Sequence, residues 1–226
     1  MKKKQEAISA ALHYLSYQPR THLEMETHLL QKGYTPLEVK EALHRLSEYG
    51  YVNDEVYAQR VTEMTMLHPT KGKNSLPGKL ARKGIDDELI QQVMDVYDEK
   101  EDEVKALDLA RKFMMSSLNQ PLRKNVDQLT RRLLSRGFTR EVIYRVIKEI
   151  EADDSLAQAR DDAEPALYDQ AVMLAEKTLR RWESKEPQET MLRRRIMQAL
   201  YQRGYDTDIS RRAAEQVVNH WQKNRH

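Results

Sequence analysis

The sequence predicts an all-α protein built from tandem three-helix repeats. Three features support this prediction: glycines in a recurring context, helix-capping residues shortly after most of them, and apolar residues at helical spacing. No segment shows the alternation of apolar and polar residues that is typical of a half-buried strand. Because three short helices bury little apolar surface alone, we expect helix-turn-helix-like repeats stacked into an elongated, curved array.

Five of the chain's seven glycines share one context, in which a leucine stands four residues before the glycine and an apolar or aromatic residue follows it. The five are Gly33, Gly50, Gly84, Gly137 and Gly204. Glycine often ends a helix because it adopts the left-handed backbone conformation at little steric cost, and the next apolar side chain then folds back onto the last turn. Each of the five therefore predicts a helix end.

The stretch LSEYGYVNDEVYAQ around Gly50 is expected to follow this rule. Gly50 ends one helix, Tyr51 packs against that helix, and Asn53 or Asp54 caps the next one. Tyr57 then lies on the buried face of the new helix. We therefore predict that these residues build the repeat and do not contact a partner.

Two segments carry strong helix-start signals. Thr35-Pro36-Leu37-Glu38 is a capping box with proline in the first helical position, and Thr21-His22-Leu23-Glu24 is a second capping box. Together with the glycines, these signals predict helices near 3–17, 21–32, 36–49 and 54–66.

The same pattern, continued along the chain, predicts how it divides into repeats. Each repeat is expected to contain a helix, a glycine turn, a second helix, a short link and a third helix. This gives a lead helix at 1–20, repeats at 21–68, 69–119 and 120–185, and a shorter C-terminal repeat at 186–226.

The composition excludes several classes of site. The chain has no cysteine, so it forms no disulfide and no thiolate-based site, and it lacks phosphate-binding glycine loops and paired metal-binding histidines. Its carboxylates stand in charge-rich runs that we expect to be solvated. We therefore predict no catalytic residue, no metal and no cofactor.

No signal-peptide core and no apolar run of about 18 residues occurs, so we expect a cytoplasmic protein without a membrane span, and a monomer.

Charge alternates in blocks along the chain although the net charge is only +2. Residues 95–108 and 151–164 are acidic, whereas residues 123–148 are basic. Such blocks are typical of solvated helix faces, and equally of a surface that binds an acidic partner or nucleic acid. Composition alone leaves both interpretations open.

The succession of motifs resembles the RecX family of bacterial regulators of the recombinase RecA. The resemblance rests on ALHYLSYQPRTHLEMETHLLQKGY, on GYVNDEVYAQRV, and on KGKNSLPGKLARKGIDDELI, and it extends over nearly the whole chain. Two features depart from the family pattern: Lys73 follows Lys-Gly where proline is usual, and the chain begins close to the first repeat, whereas many long relatives carry an extra N-terminal segment.

The resemblance implies a protein that lies in the groove of the RecA filament on single-stranded DNA and inhibits filament extension and ATP hydrolysis, within recombination, DNA repair and the SOS response. We expect exposed basic residues to contact the filament. The candidates are Lys71, Lys73, Lys79, Arg82, Lys83, Arg123, Lys124, Arg131, Arg132 and Arg136.

Two alternatives remain at this point. The helix-turn-helix-like units are also compatible with weak, sequence-independent binding to DNA, although the helices after Gly33 and Gly84 are rich in carboxylates. A purely structural adaptor role is the second alternative.

Overall fold

The computed structural model describes residues 2–185 and 188–223, with the side chains of residues 2–4 left aside, and all regular secondary structure in that part of the chain is helical. The all-α prediction is confirmed. The helices are α1 (Lys2–Leu15), α2 (His22–Gln31), α3 (Pro36–Glu48), α4 (Asp54–Met66), α5 (Leu76–Ala81), α6 (Asp87–Asp95), α7 (Lys100–Met115), α8 (Leu122–Ser135), α9 (Arg140–Glu151), α10 (Asp154–Trp182), α11 (Glu189–Gln202) and α12 (Thr207–Lys223), with a 3₁₀ turn at Lys73–Ser75 before α5.

The chain forms two compact units. Unit 1 contains the residues up to Lys105 together with Arg136–Thr139, and unit 2 contains Ala106–Ser135 and the residues from Arg140 onwards. Each unit has its own apolar cores, which are described separately below.

Unit 1 contains two apolar cores, each built from three helices. In the first, Ala7 and Ala11 of α1 pack with Met25 and Leu29 of α2 and with Leu46 of α3. The second core is built from α4, α5 and α6. Its buried members are Ala58, Val61, Leu76, Leu80, Ile85, Ile90, Val93 and Tyr97.

Unit 2 contains a third such core, built from α10, α11 and α12. Ala171 and Ala175 of α10 pack against Leu192 and Ile196 of α11 and against the buried face of α12. Leu129 and Leu133 of α8 are also buried in this unit, as are four residues of α9.

The three-helix groups differ from those predicted from the sequence. Helix α1 belongs to the first core and is not a separate lead helix, α4 joins the second group, and α10 completes the last one. The predicted grouping of helices was wrong because Gly50, which lies between two groups, has the same sequence context as the glycines inside a group. Contact between small, fully buried residues such as Ala7 and Ala11 decides the grouping, and local patterns do not reveal it.

The predicted helix ends are confirmed at all five glycines. Their φ angles are 87° at Gly33, 73° at Gly50, 78° at Gly84, 86° at Gly137 and 91° at Gly204. At Gly33, Gly50, Gly84 and Gly204 the amide after the glycine donates to the carbonyl of the leucine that stands four residues before the glycine, for example from Tyr51 to Leu46 at 2.8 Å. This is the hydrogen bond of a Schellman motif, and it explains the fixed spacing of leucine and glycine.

The capping predictions are also confirmed. Both Thr21 and Thr35 form complete capping boxes with the glutamate three residues later. Of the two candidates for the start of α4, Asn53 is the cap and accepts from the Val56 amide. Asp54 instead accepts from the His22 amide at 2.9 Å and thereby joins α4 to the start of α2.

Three of the glycine turns pack closely against the start of another helix. A Cβ on Gly84 would lie 2.5 Å from Leu23 Cβ, and a Cβ on Gly137 would lie 2.4 Å from the Ser75 nitrogen. In unit 2, a Cβ on Gly204 would lie 3.1 Å from the Lys124 nitrogen. These glycines therefore allow close packing in addition to ending a helix.

The Gly137 turn also forms backbone hydrogen bonds with the segment before α5. The Gly72 amide donates to the Arg136 carbonyl at 3.0 Å, and the Asn74 amide donates to the Gly137 carbonyl at 2.8 Å. A Cβ on Gly72 would lie 2.7 Å from that Gly137 oxygen. The glycine of the Lys-Gly pair therefore has a steric explanation.

We predict that Gly84→Ala costs more stability than Gly50→Ala. Both substitutions place a side chain at positive φ, which costs about 1–2 kcal/mol, but a methyl group on Gly50 meets no atom within 4 Å. At Gly84 the clash with Leu23 adds about 1–3 kcal/mol. Denaturant unfolding of the two variants measures the difference, and equal losses would contradict the close-packing role of Gly84.

Candidate interaction surfaces

Two of the predicted contact residues are engaged within unit 1. The Lys83 ammonium pairs with the Glu24 carboxylate, and the Lys83 carbonyl accepts from the Thr21 hydroxyl at 2.6 Å. The Lys73 ammonium lies 3.2 Å from Glu99. Both lysines form ion pairs with glutamates of the same unit, so their positive charges are already compensated in the free protein.

The charge state of the Glu24–Lys83 pair is stabilised by its surroundings. Burial opposes ionisation of Glu24, but hydrogen bonds from Lys83 and the Thr21 amide, together with the positive charges of Lys83 and Arg20, hold its pKa below the ordinary value. The hydrogen bond to Glu24 raises the pKa of Lys83 in turn. Both groups are therefore charged at neutral pH.

The remaining unit 1 candidates on the link and α5 are free. Lys71, Lys79 and Arg82 are exposed, and none of their charged groups has an ion-pair or hydrogen-bond partner among residues 2–185 and 188–223. Arg136 is half-buried, and its carbonyl accepts from Gly72. Three of the predicted contact residues are thus free cations on one short segment, residues 71–82.

In unit 2, aromatic rings position two of the predicted arginines. The Arg123 guanidinium lies 4.7 Å from the centre of the Tyr201 ring, and that of Arg132 lies 4.6 Å from the Phe113 ring. Arg131 Nε donates to the Asp127 carbonyl of its own helix at 3.1 Å. Lys124 is exposed and has no partner within the described part of the chain.

A buried carboxylate in unit 1 was missed by the sequence interpretation, which placed the acidic run 95–108 in solvent. Asp102 is fully buried and forms an ion pair with Lys105, whose Nζ lies 2.6 Å away. It accepts hydrogen bonds from the Tyr97 hydroxyl and from the Lys73 amide, both at 2.8 Å. Burial and the bond to Asp102 raise the pKa of Tyr97. The only local signal was Lys105, three positions later on the same helix face.

The same network gives the residue at position 73 a role that proline could not fill. The Lys73 amide donates to Asp102, and proline has no such donor. Lys105 Nζ also donates to the Met66 and Lys71 carbonyls at 3.1 and 2.9 Å. The end of α4 and the link before α5 are therefore attached to one buried ion pair.

Tyr51 does not pack against the preceding helix as predicted. Its side chain is 58% exposed, and the neighbouring Val52 is 1% exposed and takes the place in the core. At the corresponding positions after other glycines, Ile85 and Phe138 are buried. Tyr57, in contrast, is half-buried, in keeping with its expected place on α4.

The surface around Tyr51 contains a small pocket of about 150 Å³ at the start of α4. Its walls include Tyr51, Val56, Tyr57 and Arg60, and Arg20 lies beside them. None of the residues that line this pocket is among the contact residues predicted from the sequence.

Residues 2–185 and 188–223 contain no group of three or more metal-ligating side chains placed to hold an ion. No helix in the same ranges is both long and apolar enough to cross a membrane.

Comparison with known proteins identifies the family. The models for the first and the third three-helix domain of RecX match residues 7–46 and 166–214. The regulatory protein RecX of Halalkalibacterium halodurans is 30% identical over 213 residues, which cover 92% of this chain and 75% of that protein. The chain belongs to the RecX family.

Other RecX proteins agree with this assignment. The Bacillus subtilis regulatory protein RecX is 26% identical over 202 residues, covering 89% of this chain and 73% of the relative. The crystal structure of RecX from Lactobacillus salivarius matches with a TM-score of 0.63 and 28% identity, over 67% of this chain and 99% of that one. The first RecX domain begins inside α1, in agreement with the three-helix groups of the structure.

We predict that the Glu24–Lys83 pair stabilises this RecX chain in a pH-dependent way. Because the folded-state pKa of Glu24 lies below its ordinary value of 4.5, its contribution is complete above that pH and is lost as the pH falls through the lowered pKa. Glu24→Gln keeps a capping side chain but removes the charge. Its unfolding free energy should fall below that of the wild type at pH 7, and the gap should close at acid pH.

Denaturant unfolding between pH 3 and pH 7 measures this gap. Glu26→Gln, an exposed neighbour on α2, serves as the control and should show little gap at any pH. A gap for Glu24→Gln that stayed constant down to pH 3 would contradict the role of the ion pair.

Proposed function

We propose that this chain regulates RecA by binding in the groove of the RecA filament on single-stranded DNA. There it inhibits filament extension and the ATP hydrolysis that depends on DNA. The observation that carries this proposal is the match to regulatory protein RecX over 92% of the chain, together with the two three-helix domain models.

The repeated three-helix groups support this mode of action. A filament presents the same surface many times, so several weak contacts on one chain are strengthened by effective concentration. The free side chains of Lys71, Lys79 and Arg82 supply positive charge on one short segment. Exposed charges of this kind mainly accelerate association with an acidic surface.

The direct experiment measures RecA ATP hydrolysis on single-stranded DNA with increasing amounts of this protein. We expect inhibition well below one molecule per RecA and shorter filaments in electron micrographs. Unchanged hydrolysis and filament length at equimolar protein would refute the proposal.

Charge reversal tests which side chains take part. Lys79→Glu combined with Arg82→Glu should weaken filament binding roughly tenfold, since two exposed ionic contacts contribute about 1–2 kcal/mol together. Lys40→Glu combined with Lys177→Glu changes the net charge equally at exposed positions outside this segment and should have little effect. Equal losses in both double variants would show that only net charge matters.

Weak binding to DNA without sequence preference is a second candidate. It is favoured by Lys124 and Arg140 of unit 2, which are exposed and have no partner among the described residues. Binding of this kind decreases steeply with salt because it depends on counterion release. Salt-sensitive binding to bare DNA duplexes of unrelated sequence, with RecA ATP hydrolysis left unchanged, would favour this function over regulation of RecA.

A further inference from the structure

The pocket around Tyr51 is built by the most distinctive stretch of the sequence, GYVNDEVYAQRV, and the fold does not account for its exposed residues. The glycine and the caps of this stretch have structural roles, but Tyr51, Val56 and Arg60 face solvent. Truncating any of these three side chains would leave the cores of unit 1 unchanged, because none belongs to them. Their placement points to a ligand outside this chain.

The apolar part of this surface is larger than the pocket itself. Tyr49 and Tyr51 are 74% and 58% exposed, and their ring centres lie 6.4 Å apart in an edge-to-face arrangement. Val56 is 57% exposed, and along the same helix Met64 and Leu67 are 61% and 84% exposed. Positions 56, 60, 64 and 67 follow helical spacing, so they form one stripe along α4 and its C-terminal end.

Two donors in the polar part of the pocket have no acceptor among the described residues. Arg60 is exposed and has no ion-pair partner among the described residues. The Tyr57 hydroxyl has no hydrogen-bond partner there either. Beside them Arg20 holds a fixed positive charge: its guanidinium lies 4.0 Å from the centre of the Tyr14 ring, and its Nε is buried without an acceptor.

The carboxylates near the pocket leave Arg60 unpaired. Glu24 pairs with Lys83 and also lies 3.5 Å from Arg20 Nη1, and Asp54 accepts from the His22 amide. Glu55 accepts from Gln59 of its own helix. A carboxylate supplied from outside would therefore meet a vacant guanidinium and a vacant hydroxyl donor.

We infer that this pocket binds a carboxylate side chain that a partner protein presents between apolar residues. The carboxylate accepts from the Arg60 guanidinium, which suits two parallel hydrogen bonds, and from the Tyr57 hydroxyl. The partner's apolar neighbours pack on the rings of Tyr49 and Tyr51 and on Val56. Tyrosine and arginine around an apolar patch are the residues that most often dominate binding at protein interfaces.

Charge favours a protein over a nucleic acid as the occupant. Glu55 and Glu63 are exposed on the same helix as Arg60. A nucleic-acid backbone carries a negative charge at every nucleotide and would be repelled on either side of the pocket. A single carboxylate flanked by apolar residues would bring no further negative charge close to Glu55 and Glu63.

This inference rests on the proposed function for the identity of the partner, which is RecA in its filament. The first experiment therefore measures filament binding of the full chain and three variants. Arg60→Glu should weaken binding roughly 30-fold or more, and Tyr51→Ala roughly tenfold, as expected for residues at the centre of an interface. Tyr51→Phe should retain most of the affinity because it keeps the ring.

Two exposed residues outside the pocket serve as controls. Tyr144→Ala removes a 63% exposed tyrosine of unit 2, and Lys177→Glu reverses an exposed charge on α10. Neither should change filament binding by more than about twofold. Melting temperatures of all variants should match the wild type, since the substituted side chains lie outside the cores.

The second experiment tests the chemistry of the pocket without RecA. The blocked peptide Ac-Leu-Glu-Phe-NH2 is titrated into the isotope-labelled full chain, with Ac-Leu-Gln-Phe-NH2 as the control. The Arg60 Nε–H signal should shift with the glutamate peptide only, and the Arg60→Glu variant should lose the response at Tyr51.

The two experiments separate the possible failures. If the wild type bound no filament but the glutamate peptide shifted Arg60, the proposed function would fail and the pocket assignment would stand. Filament binding that Arg60→Glu and Tyr51→Ala both retained at the wild-type level would overturn the pocket assignment. Equal loss of binding to bare single-stranded DNA and to filaments would also overturn it, because the occupant would then be nucleic acid.

Discussion

Close packing of a glycine turn against the first turn of another helix is the constraint on which the rest of this structure depends. Gly84 packs on Leu23 and Gly137 packs on Ser75 in unit 1, and Gly204 packs on Lys124 in unit 2. At Gly84 and Gly137 a side chain would collide with a Cβ or a backbone atom, and at Gly204 its Cβ would lie only 3.1 Å from the Lys124 nitrogen. Such contacts restrict the sequence more strongly than apolar burial does, because glycine is the only residue type that lacks a Cβ atom. Polar groups then surround the contact, as Thr21, Glu24 and Lys83 do beside Gly84.

Local signals in the sequence predicted the helix ends and caps because these features depend on a few neighbouring residues. The positive φ of Gly50 and the capping boxes of Thr21 and Thr35 are of this kind. The grouping of helices was predicted less well, since the glycine context is the same inside a group and between groups. Likewise, the charge run around Asp102 gave no sign that this one carboxylate is enclosed by Tyr97, Lys73 and Lys105.

Residues of one recognised motif can have different roles in the structure. In GYVND the glycine, the asparagine and the valine serve the fold, whereas Tyr51 remains exposed. Among the basic residues, Lys73 and Lys83 are engaged in ion pairs and Lys79 and Arg82 are not. A sequence pattern assigns equal weight to all of them, and only the folded structure separates the side chains that hold the repeat from those that are available to a partner.

Amide hydrogen exchange at the Gly137 turn tests the central claim most directly. The Gly72 and Asn74 amides donate to the Arg136 and Gly137 carbonyls, although they lie in a short link that would otherwise exchange rapidly. We predict that both exchange much more slowly than an unstructured chain, and that Gly137→Ala accelerates them while the amides of α1–α3 keep their wild-type rates. Exchange of both amides at the unstructured rate in the wild type would contradict the account.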